Sequence, residues 1–133
     1  MEVTRIYTGE DGLSHFASCS LPLAANTDEG GELNSYSPGS AAVTFRSREP
    51  VNEFHTAPRP GFMIITGGVL HVECSDGTGR RFEPGDVLLP HDTTGVGHSG
   101  RSEFGPVLSL FIPINEEALS KLILADASGA ASE

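Results

Sequence analysis

The stretch that decides the fold begins with FHTAPRPGF at residues 54–62 and ends with PGDVLLPHDTTGVGH at residues 84–98. Two apolar runs, a Gly-Gly pair and an Asp-Gly pair lie between them. Asp76-Gly77 is a strong signal for a tight hairpin, and Pro84-Gly85 suits a type II turn. This stretch therefore predicts short strands joined by tight turns.

The rest of the chain predicts further short strands and one helix. Apolar runs and period-two alternation predict about eight strands, at 3–7, 15–23, 41–46, 62–66, 69–74, 80–82, 87–90 and 107–112. Asn115 can cap a C-terminal helix over 115–126, on which Leu119, Leu122 and Ile123 form an apolar stripe. Many short strands followed by one helix indicate an all-β barrel or jelly roll with a ligand site at its mouth.

The length of 133 residues favours a single domain. We expect a core barrel at about 40–113, an N-terminal arm at 1–39 and a frayed tail at 127–133. Residues 24–39 are polar and predict a mobile loop, which is either a solvated connector or a lid over a pocket. The first strand is predicted at a sheet edge, where it could pair with another chain, so we expect a homodimer.

Composition excludes several classes of partner. The formal net charge is −10 and the chain contains a single lysine, which argues against binding to nucleic acid or to an anionic membrane surface. The sequence has neither an apolar run of membrane-spanning length nor the basic and apolar regions of a signal peptide. Cys19 and Cys74 fit no zinc spacing, so we expect buried free thiols and a cytoplasmic location.

The first half of the stretch resembles the first motif of the cupin superfamily. That motif is a glycine, five residues, His-x-His, three or four residues, a Glu, six residues and a glycine. His55 matches the first His and Gly68 matches the final glycine. Glu49, Ala57 and Gly61 stand where the family has the leading glycine, the second His and the Glu.

The second half resembles the second cupin motif, which is a glycine, five residues, Pro-x-Gly, two residues, His, three residues and Asn. Gly85, Pro90 and His98 are recognisable, although the link from Pro90 to His98 is three residues longer and Ser102 replaces the Asn. The run at 92–98 is similar to a variant of small single-domain bacterial cupins. The resemblance covers roughly residues 40–113 and implies a cupin-type double-stranded β-helix, that is, a jelly-roll barrel.

The resemblance implies a metal site only in part. The usual family set is three His and one Glu, of which His55 and His98 match two positions. His71 becomes a third ligand if its side of the strand faces the barrel interior, and is a solvated neighbour of Glu73 if that side faces outward. With a third ligand we would expect a divalent transition metal, Fe, Mn, Ni or Zn.

Without a metal, two histidines at one barrel mouth predict acid–base chemistry. His55 and His98 are the candidate catalytic pair, with the alternative that both are core histidines bonded to the backbone. Arg59, between two prolines, is a candidate clamp for a carboxylate or an oxyanion, with a surface ion pair as the alternative. Asp92, after a strand end, is a candidate orienting residue or an exposed loop residue.

These residues together predict an enzyme that isomerises, cyclises or dehydrates a small metabolite carrying carbonyl or hydroxyl groups. A metal-dependent oxygenase or lyase is one alternative, and a non-catalytic module that binds a small ligand is the other. The sequence contains no P-loop, dinucleotide fingerprint or Gly-x-Ser-x-Gly elbow, so no residues are assigned to an organic cofactor. Cys74, within a strand and with no base nearby in sequence, is not expected to act as a nucleophile.

Overall fold

The structure is a computed structural model that describes residues 1–28, 31–39 and 42–122. This part of the chain contains eleven strands: β1 Glu2–Thr8, β2 Ser14–Ser20, β3 Ala24–Asp28, β4 Gly31–Ser35, β5 Thr44–Arg48, β6 Gly61–Gly67, β7 Leu70–Cys74, β8 Gly79–Phe82, β9 Val87–Pro90, β10 His98–Ser102 and β11 Val107–Pro113. One helix, α1, begins at residue 116 and is described as far as residue 122.

Nine of these strands form two facing sheets, and β3 and β4 form a separate two-stranded sheet. The large sheet has the order β2-β1-β9-β6-β11-β5 and the small sheet has the order β10-β7-β8. The core between them takes side chains from both, namely Ile6, Ile65, Leu88 and Val107 from the large sheet side and Leu70, Val72, Cys74 and Phe82 from the small one. This arrangement confirms the all-β jelly-roll fold with a C-terminal helix, which is compatible with the cupin-type barrel that the resemblance implies.

The outer face of the large sheet is covered by α1. Leu119 and Leu122 are buried there against Leu89 and Phe62, as the apolar stripe predicted. Asn115 caps the helix, because its side-chain oxygen accepts a hydrogen bond of 2.8 Å from the backbone N–H of Ala118. The predicted continuation of the helix beyond residue 122 and the tail at 127–133 lie outside the described residues.

The prediction of a loop over residues 24–39 is wrong, because β3 and β4 pair there as an antiparallel hairpin. Tyr36, just after this hairpin, packs edge-on against Phe62 on the outer face of the large sheet. The sequence of residues 24–35 is mostly polar and shows no period-two alternation of apolar residues, so it carried no strand signal. Strand β10 was missed for a similar reason, since HSGRS is polar apart from its glycine.

The edge position predicted for β1 is also wrong. This strand lies inside the large sheet, antiparallel to β2 and parallel to β9. It therefore belongs to the barrel, and the expected homodimer remains a prediction with no support from a free β1 edge. Cys19 and Cys74 are both buried and are not joined in a disulfide, as expected. Within the described residues, no helix has the length and apolar character needed to cross a bilayer.

Candidate functional site

The fold brings His55 and His98 side by side. They form an antiparallel bridge in which each backbone N–H donates to the other residue's carbonyl, both at 2.9 Å. Their imidazole rings lie on the same side of this bridge, with centroids 4.7 Å apart and planes tilted by 54°. Two groups able to accept and donate protons therefore share one small volume.

Gly97 allows the two histidine segments to approach this closely. Its φ is +86°, and a Cβ at this position would overlap the backbone carbonyl group of His55. The carbonyl of Gly97 accepts a hydrogen bond of 2.7 Å from the buried hydroxyl of Ser14, which anchors the loop to β2. A glycine is required here for both the left-handed backbone and the close contact.

The His98 ring is fixed by a buried carboxylate. Asp92 has no exposed surface, and its Oδ2 accepts a hydrogen bond of 2.6 Å from Nδ1–H of His98. The other carboxylate oxygen, Oδ1, is buried without a partner in the described part of the chain. Asp92 is therefore a positioning residue that orients the imidazole and faces any positive charge formed on it.

The His55 ring is fixed through the same ring nitrogen, Nδ1, by a neutral hydrogen-bond acceptor. Its Nδ1 lies 2.8 Å from the backbone carbonyl oxygen of Glu53, and since a carbonyl only accepts, Nδ1 must carry a proton. With Nδ1 as the donor in both rings, Nε2 is the nitrogen that each histidine leaves for proton exchange. Both histidines thus donate through Nδ1, but the acceptor is a carboxylate for His98 and a backbone carbonyl for His55.

Two adjoining pockets surround these rings. The inner pocket, about 60 Å3, lies between the sheets and is mostly apolar, with walls that include Ile6, Met63, Leu70, Val72 and Leu88. The outer pocket, about 90 Å3, is lined by Arg46, Arg48, Ala57, Pro58, Arg59 and Phe111. His55, His98, Arg48, Met63 and Pro90 line both. Of the residues at 24–39 whose side chains the structure describes, namely 24, 25 and 35–39, none lines either pocket.

Three arginines line the outer pocket, of which sequence analysis named Arg59 alone. Arg46 is half-buried, with its guanidinium carbon 4.3 Å from the centre of the Phe111 ring, and Arg59 lies 5.8 Å from the same ring. Burial lowers the pKa of Arg46, and the positive charges of Arg48 and Arg59 lower it further. Arg46 and Arg48 are two residues apart on β5, and this alternation was the available signal that they share a face.

The residues present do not fit the metal set that the cupin resemblance implies. Ala57 offers no donor atom at the second His position, and at the Glu position Gly61 packs so closely under Phe111 that a Cβ would overlap the ring. His71 does not complete the set, because its Nε2 lies 2.7 Å from Glu103 and it lines a different pocket. Within the described residues, no three His, Cys, Asp or Glu side chains are grouped to hold a metal ion.

Two other titratable side chains, His91 and Cys74, lie away from this chemistry. His91 is not part of either pocket; it is half-buried, and burial together with the nearby charge of Arg5 lowers its pKa. The thiol of Cys74 is fully buried in the core, and burial raises its pKa to about 11. A thiol in that state is a poor nucleophile, which agrees with the sequence-based expectation.

Comparisons with known proteins add little to this geometry. No family model and no curated protein matches the sequence. Among solved structures, the chain is similar to a Salmonella typhimurium LT2 protein named for ethanolamine utilization (protein Q), with 13% identity over 86% of this chain and 95% of that chain, and a TM-score of 0.32. A likeness this weak carries no argument about activity, so function is argued from the site itself.

Proposed function

We propose that this protein is an enzyme that moves protons on a small metabolite carrying carbonyl or hydroxyl groups, in an isomerisation, cyclisation or dehydration. The observation that carries the proposal is the pair of imidazoles 4.7 Å apart in one pocket, one of them held by a fully buried carboxylate. Histidine pairs of this kind can accept and donate a proton in the same reaction.

The support of each ring suggests its role. Asp92 faces the positive charge of a protonated His98, so His98 acts as the acid that gives its Nε2 proton to the carbonyl oxygen as the enol forms. His55 is held by a neutral carbonyl beside the arginines and is uncharged, so its Nε2 acts as the base that takes a proton from the carbon next to that carbonyl. Return of one proton by His55 to a different carbon, with recovery of the other by His98, completes an isomerisation with no net change in protons.

The surroundings favour such a reaction. The apolar walls of the inner pocket limit water, which strengthens charge interactions and protects a reactive enol. Cavities of about 60 and 90 Å3 are small beside the roughly 300–1,000 Å3 of pockets for drug-sized ligands. The substrate is therefore expected to have few heavy atoms.

The test is proton exchange in heavy water, which detects removal of a proton from carbon whatever product is formed. The protein is incubated with a panel of small ketones, aldehydes and hydroxy- and keto-acids, and replacement of C–H by C–D is followed by NMR. We expect exchange of at least one compound, with a loss of about 10²–10⁴-fold in His98→Gln and His55→Gln. Full activity in both variants would reject these roles, and binding of panel compounds without exchange would make the protein a binding module instead.

A further inference from the structure

Positive charge is concentrated at the outer pocket of a strongly acidic protein. The net charge is −10, yet three of its seven arginines, Arg46, Arg48 and Arg59, line this one pocket. None of the described residues that line the inner or outer pocket is acidic. We call Arg46, Arg48 and Arg59 the arginine cluster.

The arginine cluster differs from Arg81, another basic side chain on the surface. Arg81 on β8 is held by Glu83 at 2.6 Å and by Glu103 at 3.0 Å, so its charge is balanced within the protein. No member of the arginine cluster has an ion pair among the described residues. Their neighbours are instead the ring of Phe111 and one another, and mutual repulsion contributes to the lowered pKa of Arg46.

Like charges held together without an acidic partner are stabilised by a bound anion. Guanidinium groups present several N–H donors in a plane, which suits the oxygens of a carboxylate or a phosphate. Stacking on Phe111 limits the motion of Arg46 and Arg59, so less conformational freedom is lost when they bind a ligand. The backbone between Pro58 and Pro60 further restricts Arg59.

We propose that the arginine cluster binds an oxyanion group, a carboxylate or a phosphate, and that the substrate carries this group. The anion lies in the outer pocket and directs the reacting carbon towards His55 and His98, which line both pockets. The identity of the anion as part of a substrate rests on the proposed function, whereas anion binding itself depends on the arginine cluster alone. The same positive charges disfavour a cation, in agreement with the missing metal ligands at Ala57 and Gly61.

The test compares a small dicarboxylate with its neutral analogue. Malonate, malonamide and inorganic phosphate are titrated into the full chain by calorimetry at low ionic strength. Arg46→Gln and Arg59→Gln are compared with Arg101→Gln, which removes the same charge from an exposed arginine that lines neither pocket. We expect malonate or phosphate to bind and malonamide to bind at least tenfold more weakly.

In the variants, we expect the loss of one arginine of the cluster to weaken anion binding about tenfold or more, and Arg101→Gln to change it less than twofold. Raising the salt concentration should weaken binding in the wild type. Whichever of malonate and phosphate binds more tightly identifies the oxyanion as a carboxylate or a phosphate, and either result supports the site. Equal binding of malonamide, or equal effects of all three substitutions, would overturn the inference.

The two proposals can be rejected independently of each other. His98→Gln should lower deuterium exchange by about 10²–10⁴-fold and leave malonate binding within twofold of the wild type. If no panel compound exchanges but anion binding depends on the arginine cluster, the proposed reaction is wrong and the anion site stands. If exchange is found on neutral compounds alone and the arginine substitutions do not affect it, the substrate does not carry the anion and the proposed reaction stands.

Discussion

Replacing Gly97 with alanine tests whether the close approach of the two histidine segments is essential. Gly85→Ala is the matched control, because both glycines have a positive φ, +86° at Gly97 and +97° at Gly85. A Cβ at Gly85 would meet nothing within 4 Å, whereas a Cβ at Gly97 would overlap the carbonyl group of His55. The two variants therefore share the backbone strain and differ in the steric clash.

The structure gives a different magnitude for each substitution. An alanine in the left-handed region costs about 1–2 kcal/mol, and this applies to both variants. At Gly97 the methyl group also requires the His55–His98 bridge to open, which removes two backbone hydrogen bonds of about 1 kcal/mol each. We expect Gly97→Ala to lower the free energy of unfolding by about 3–4 kcal/mol and Gly85→Ala by about 1–2 kcal/mol.

Urea unfolding at equilibrium measures this difference, provided that the m-values of the two variants agree. Deuterium exchange on an active panel compound gives a second readout. We expect Gly85→Ala to retain activity and Gly97→Ala to lose most of it, since opening the bridge separates the imidazoles. Equal destabilisation of the two variants, with activity kept in Gly97→Ala, would show that the bridge does not hold the site together.

Three further predictions concern single side chains. Asp92→Asn should lower kcat by about 10²–10⁴-fold and alter the pH profile of kcat, with little change in KM. This is the effect expected of a residue that orients His98 and does not bind substrate. A change confined to KM would contradict this role. The pKa of His15 is raised from its ordinary 6.5, chiefly by its hydrogen bond with Asp11. The contribution of His15 to stability is therefore complete below pH 6.5 and is lost as pH rises through the raised pKa. The Tm difference between wild type and His15→Gln should shrink from pH 5.5 to pH 9, and a constant difference would refute the linkage. Cys74, with a pKa of about 11, should be a thiolate in roughly one molecule in 1,000 at pH 8 and should resist iodoacetamide until the protein unfolds, whereas labelling of the native protein would contradict its burial.

The parts of the fold that the sequence predicted are those with a buried face. Strand β7 alternates as LHVEC, and its residues Leu70, Val72 and Cys74 are buried as the period-two pattern required. Strand β9 places Leu88 in the core between the sheets and Leu89 under α1, so a short apolar run with no alternation was also recognisable. Burial imposes a pattern on sequence, and the pattern then identifies the strand.

The parts that were missed are held by backbone pairing and by tertiary contacts. The hairpin of β3 and β4 and the strand β10 have polar sequences, so local composition favoured loops there. The position of β1 inside the large sheet depends on its pairing with β9, about 80 residues further along the chain. No property of the residues near the N-terminus indicates such a distant neighbour.

The candidate site was predictable where motif spacing carried the information. His55 and His98 come together as expected, and Asp92 lies next to them because it precedes His98 by a short loop. Arg46 and Arg48 were missed because they precede the motifs and reach the pocket through the pairing of β5 with β11, with Arg46 opposite Ser109. A long-range register of this kind can be read from coordinates alone.

Gly61 connects the arginine cluster to the position at which the cupin resemblance implies a Glu. The glycine leaves room for the ring of Phe111, and that ring supports the guanidinium groups of Arg46 and Arg59. A glutamate at residue 61 would have to displace this ring, so the implied Glu and the present arrangement of the arginine cluster exclude one another sterically. The positive charge of the arginine cluster would also repel a metal cation in the same pocket. The small residue at this position is therefore one reason why the pocket can present positive charge beside two imidazoles.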